Sequence, residues 1–94
     1  MSALLFTVRD TFRLENRGLI LAADVKPEQA GVRMGDSIEL RRPDGSSLVT
    51  VVIGIERAIP YDPDRTLAVL LPGDILKADV PIGTEVWSHP KGAA

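Results

Sequence analysis

A hydrophobic period of two restricts the fold of this chain more than any other feature. Leu4, Phe6 and Val8 alternate with Leu5, Thr7 and Arg9, the pattern of a strand that buries one face. Phe12 and Leu14 continue the same even-numbered set past Asp10, so both phenylalanines are expected on the buried face of a first hairpin. Asn16-Arg17-Gly18 then supplies a tight turn, because Asn and Gly tolerate positive φ at low cost. From Gly18 to Val25 the chain is almost continuously apolar, as expected of a well-buried strand or one crossing a barrel wall.

Turn signals recur along the rest of the chain. Lys26-Pro27-Glu28-Gln29-Ala30-Gly31 breaks the alternation, with room for one helical turn that Gly31 ends. Ser37 to Arg42 resumes it, with Ile38 and Leu40 set against Glu39 and Arg41. Pro43-Asp44-Gly45-Ser46 is a turn in which Pro sets φ, Asp caps and Gly takes the left-handed position. Leu48 to Glu56 is rich in β-branched residues, and Gly54 within it marks a bulge or a close backbone approach. Ile59 to Asp64, with two prolines, is a surface loop. Thr66 to Leu71 is a strand that Pro72-Gly73-Asp74 ends. After an irregular connection over Lys77 to Gly83, Thr84 to Ser88 closes the series with Val86 and Trp87. About six or seven strands with little helix make an all-β domain, either a small barrel or a sandwich. It is expected to span residues 1–90, with 91–94 a short C-terminal tail.

Composition narrows the chemistry. The 94 residues hold no Cys and a single His, with eleven basic against thirteen acidic side chains for a formal net charge of −2. Without Cys there is no disulfide framework, thiolate zinc site or thiol nucleophile. His89, near the end of the chain beside Pro90, has no triad partner in the pattern and reads as a solvated side chain. Asp62 and Asp64 lack the further oxygen ligands of a calcium loop, and no glycine-rich phosphate loop is found. No cofactor, metal site or catalytic residue is therefore assigned, and an enzyme is not expected. The mildly acidic balance also argues against a broadly basic nucleic-acid surface. No signal peptide is recognised at the start, and no apolar run approaches the roughly 20 residues that span a bilayer, so a cytoplasmic, membrane-free protein is expected.

Five segments taken in order resemble domain 2 of the translational GTPases, the β-barrel domain of elongation factor Tu. They are Phe6-Thr7-Val8-Arg9-Asp10-Thr11-Phe12, Arg17-Gly18-Leu19-Ile20-Leu21, Val32-Arg33-Met34-Gly35-Asp36-Ser37-Ile38-Glu39-Leu40, Val51-Val52-Ile53-Gly54-Ile55-Glu56, and Leu70-Leu71-Pro72-Gly73-Asp74-Ile75 with Asp79-Val80-Pro81-Ile82-Gly83-Thr84. The resemblance covers residues 4–88 and implies a small closed, mostly antiparallel β-barrel acting as a stand-alone, non-catalytic interaction or accessory module of the translation machinery. Its implied partner is a protein in preference to RNA. Nucleotide hydrolysis is not carried over, because no GTP-binding segment precedes the motifs in this sequence. The family's segment between Glu56 and Val69, which helps hold the aminoacyl end of tRNA, is replaced here by Tyr61-Asp62-Pro63-Asp64-Arg65-Thr66. Arg17, Glu56 and Arg57, which lie near motif turns and strand ends, are the expected partner-binding residues, with Arg41 and Arg42 added for an anionic partner.

A second resemblance competes. Gln29-Ala30-Gly31-Val32-Arg33-Met34-Gly35-Asp36-Ser37-Ile38 is similar to a stretch of PDZ domains, and Arg17-Gly18-Leu19-Ile20 then stands where their carboxylate-binding loop would be. That reading requires a groove beside Gly18 into which a peptide adds as a strand. It also requires a groove-lining helix, whereas Leu48 to Ile55 is β-branched and has no helical period.

Overall fold

The alternation that opens the chain changes parity partway along, and at that point the chain passes from one sheet to another. The computed structural model describes residues 3–23, 25, 30–56 and 67–89. Among them are eight strands, β1 (Leu4–Thr7), β2 (Asp10–Leu14), β3 (Gly18–Ala23), β4 (Ser37–Arg41), β5 (Ser47–Val51), β6 (Gly54–Glu56), β7 (Leu67–Leu71) and β8 (Glu85–Ser88), with a short 3-10 helix at Lys77–Asp79. They form two four-stranded antiparallel sheets, ordered β1-β8-β4-β5 and β2-β3-β7-β6. The all-β expectation holds. The strand count exceeds it because two runs that each read as one strand in the sequence divide in two.

The first division lies at Val8 and Arg9. The Val8 N–H donates to the Thr84 carbonyl at 2.8 Å, on the β8 side, while the Arg9 N–H donates to the Ala22 carbonyl at 2.9 Å, on the β3 side. The buried set moves accordingly from Phe6 and Val8 to Thr11. Phe12 therefore points outward and is 47% exposed, contrary to the expectation that both phenylalanines are buried. Leu4 is exposed as well, because the pairing register of β1 with β8 shifts between Leu4 and Phe6. The second division lies at Val52 and Ile53, just before the glycine that signalled a bulge. The Val52 N–H donates to the Asp36 carbonyl and the Ile53 N–H to the Leu70 carbonyl, each at 2.9 Å. Gly54 then pairs with Leu70.

The core is made by the inward faces of both sheets. Phe6, Ile38, Leu40 and Val86 come from the first, and Leu19, Leu21, Leu67, Val69 and Leu71 from the second. Ala30, Val32, Val52, Ile75 and Val80 add to the same cluster from the connections. Each large aliphatic buried in this way contributes about 1.5–3 kcal/mol relative to exposure. β3 and β7 are buried on both faces, as the continuous apolar run over 18–25 implied. On the outward face of the second sheet, Ile20, Ala68 and Leu70 form a smaller cluster with Leu14 packed against it.

The turns follow their residues. Asn16 adopts φ +63°, and Gly45 takes the left-handed position of the β4–β5 hairpin at φ +92°. Gly18 carries a tighter constraint, with φ +141° and a backbone so close to β7 that an added Cβ would overlap the Leu71 carbonyl oxygen. Gly31 lies at φ +69°, while the rest of the expected helical turn over 26–29 falls outside the described residues, as does the loop over 59–64. Lys77–Asp79 is a single 3-10 turn rather than an irregular stretch. Gly18→Ala is expected to cost more than about 3 kcal/mol, since conformation and space both forbid a side chain there. Gly73→Ala, whose Cβ would meet nothing within 4 Å, should stay within about 0.5 kcal/mol of the parent in urea unfolding.

Candidate functional site

Arg41 and Arg42 are adjacent in sequence yet do different work, because successive residues of a strand face opposite ways. Arg41 ends β4 on the outward face of the first sheet. Its guanidinium carbon lies 4.1 Å from the centroid of the Trp87 ring, and its Nε donates to Glu39 Oε1 at 2.8 Å. Trp87 Nε1 in turn donates to Glu85 Oε1 at 3.0 Å. The register explains the assembly: Glu39 pairs with Trp87 and Arg41 with Glu85, so Arg41 reaches diagonally across to the indole. This group holds two carboxylates to one guanidinium and is acidic on balance. Leu4 and Val49 extend it along one cross-strand row, Leu4 opposite Trp87 and Val49 opposite Glu39.

Arg42 lies one residue past β4 and is committed to the fold. Its Nε donates to the Asp79 carbonyl at 2.6 Å, and its Nη1 donates to Ser46 Oγ at 3.1 Å. A weaker ion pair joins it to Asp79 Oδ1 at 3.9 Å. Ser46 passes the arrangement on, its hydroxyl donating to Asp44 Oδ1 at 2.6 Å and its N–H to the same oxygen at 2.9 Å. The Ser46 hydroxyl first, and its backbone N–H second, hold the Asp44 carboxyl below the ordinary carboxylate range. Arg13 does comparable work from the other sheet, donating to the carbonyls of Gly73 and Ile75 at 3.3 Å each. Two arginines from different sheets thus fasten the connection that leads from β7 to β8.

The remaining expected site residues are dispersed. Arg17 sits in the exposed turn between β2 and β3, where its N–H donates to the Leu14 carbonyl at 3.1 Å. Glu56 ends β6 opposite Ala68. Ala68 pairs with Ala22, four residues along β3 from Gly18, so Arg17 and Glu56 mark opposite ends of that strand, about 13 Å apart along it. Arg57 lies outside the described residues, as do Asp62 and Asp64. The four that are described, Arg17, Arg41, Arg42 and Glu56, therefore do not converge on one site. The Arg41–Trp87–Glu39–Glu85 group is a polar arrangement built on an outward sheet face, and its members other than Arg41 carried no mark in the sequence. The signal was present as Glu39-x-Arg41 and Glu85-x-Trp87, two period-two pairs that a shared sheet face brings together.

Beside Gly18 there is no open sheet edge. β3 is bonded to β2 on one side and to β7 on the other, and the Leu71 carbonyl fills the space against Gly18. His89 extends the β8–β4 ladder, its N–H donating to the Ser37 carbonyl at 3.1 Å, and is partly buried. Among the described residues, no three His, Asp or Glu side chains gather as a metal site would need. Among the same residues, no helix is long and apolar enough to cross a membrane.

Replacing Arg42 by Ala is expected to cost about 1–3 kcal/mol by leaving a buried-side carbonyl and the hairpin turn without their donor. Replacing Arg41 should cost less than about 1 kcal/mol, because its ion pair and ring contact are solvent-screened. Urea midpoints measured at constant m-value separate the two. Ser46→Ala should raise the Asp44 pKa toward its ordinary value, read by NMR titration, and only in part because the backbone N–H remains. The depressed value stabilises the fold above the unfolded pKa, and that contribution is lost as pH falls through the folded one. No protein-family model matches the chain, and no curated protein or solved structure does either.

Proposed function

We propose that the two sheets close into one small barrel of the domain 2 type, and that the chain serves as a non-catalytic, cytoplasmic binding module of the translation machinery. The observation that supports this reading is the passage of backbone bonds from one sheet to the other. β1 runs directly on into β2, and β5 into β6, with backbone bonds passing from one sheet to the other at Val8–Arg9 and Val52–Ile53. Taking each continuous pair as one strand, the neighbours run β1/β2, β3, β7, β6/β5, β4, β8 and back to β1. Two antiparallel sheets linked in this order, with turns that favour glycine, are in keeping with the five resembling segments.

A protein partner is favoured over RNA. Arg41 and Arg42, the cations offered for an anionic ligand, are already engaged by Glu39, Trp87, Asp79 and Ser46. Among the described residues, Trp87 has a basic side chain over its ring but shares it with Glu39 and Glu85 and forms no row of stacking platforms.

The test is cosedimentation with ribosomal particles and translation factors, before and after ribonuclease treatment. The reading predicts retention that survives ribonuclease and weakens less than about tenfold between 50 and 200 mM salt, whereas a contact neutralising six or more phosphates would lose about 10³-fold. Absence of retention, or loss with that steep salt dependence, contradicts it.

A further inference from the structure

We propose that β5 is a self-pairing edge, through which two copies of this chain join antiparallel to make one continuous eight-stranded sheet. β5 is the last strand of its sheet and pairs on one side only, with β4. The bonds from the Arg42 N–H to the Ser46 carbonyl and from the Val52 N–H to the Asp36 carbonyl bracket this pairing. In an antiparallel ladder every second residue bonds to the neighbour, so Leu48 and Thr50 serve β4, and the N–H and C=O of Ser47, Val49 and Val51 point the other way. Further along the same side, the Ile53 N–H finds the Leu70 carbonyl. The partner strand then ends, because β7 stops at Leu71 and Pro72 has no N–H to offer. Among the described residues no backbone bond reaches Ser47, Val49 or Val51 from that side.

Proteins ordinarily protect such edges with charge, proline, a bulge or shortness. The other edge strands here have one of these each. β1 has a register shift between Leu4 and Phe6, β2 carries Asp10 and Arg13, and β6 is three residues long and ends in Glu56. β5, Ser47-Leu48-Val49-Thr50-Val51, has none, and it is composed largely of the β-branched residues that suit pairing. Val49, in its middle, is 50% exposed.

The sequence of the strand selects a second copy as the occupant. In a two-fold antiparallel pairing centred on Val49, Val49 meets its own copy, Ser47 meets Val51 and Leu48 meets Thr50. No charged residue is brought opposite its like, which a self-complementary interface requires. The outward groups of the three residues would form roughly six backbone hydrogen bonds, two for each bonded pair. A single strand pair falls short of the roughly 800 Å² per partner of a standard interface, so the dimer is weak, with Kd on the order of 100 μM.

Sedimentation velocity from about 10 μM to about 2 mM, paired with amide exchange by NMR, tests this. The parent chain should pass from monomer to dimer, with protection of the Ser47, Val49 and Val51 amides rising with concentration while Leu48 and Thr50 stay protected throughout. Val49→Pro removes the outward N–H and leaves the groups of Leu48 and Thr50 that bond β4 in place, and should remain monomeric with an unchanged far-UV spectrum. Val49→Lys sets two like charges against each other and should raise Kd at least tenfold, which keeps the test intact if the proline variant unfolds. A parent chain that is monomeric across the range overturns the proposal. So does a Val49→Lys protein that dimerises as the parent does, or concentration-dependent protection that falls on β1 or β2 instead. None of these outcomes depends on whether ribosomal particles retain the protein.

Discussion

Everything in this fold depends on two places where the backbone changes partners. At Val8–Arg9 and at Val52–Ile53, adjacent amides donate to different sheets, so one stretch of chain serves as an edge of both. A buried amide without a partner costs about as much as a lost hydrogen bond, and these handovers keep the main chain satisfied while it bends. They also set which side chains face inward. The switch of parity places Thr11 inside and Phe12 outside, and it sets Gly54 opposite Leu70. Thr84, fully buried at the first handover, is held by its own hydroxyl donating to the Pro81 carbonyl at 2.6 Å.

The long connection from β7 to β8 must travel from one sheet to the other, and arginines do the fastening. Arg13 takes the carbonyls of Gly73 and Ile75 from one side, and Arg42 takes that of Asp79 from the other. A guanidinium is suited to this task because its several donors lie in a fixed plane and remain charged at any physiological pH. The consequence for function is direct. A basic residue near a turn signals a binding surface only while its donors are unspent, and in this chain the hairpin turn and the connection use Arg42 first.

Most of the strand pattern was legible in the sequence. The period of two, the Asn16-Arg17-Gly18 turn and the Pro43-Asp44-Gly45-Ser46 turn each placed an element within a residue or two, because turn chemistry is local. The continuous apolar run over 18–25 correctly indicated a strand covered on both faces. Phe12 was misread because a change of parity leaves the residue types intact and shows only in the pairing. The Arg41–Trp87 contact was invisible for a similar reason, since 46 positions in the chain separate two residues that cross-strand register makes diagonal neighbours. The dispersal of Arg17, Arg41, Arg42 and Glu56 likewise follows from strand order, which spacing along a chain does not encode.

The proposed closure would join the two sheets, through the handovers, into a single cooperative unit. Native-state hydrogen exchange at the Val8, Arg9, Val52 and Ile53 amides tests it most directly. Closure predicts that these four exchange only through global unfolding, with the same free energy as Leu21 and Val69 in the central strands. Exchange at the four more than about 100-fold faster, with the central strands still protected, would mean two sheets that open along their seams, and would contradict it.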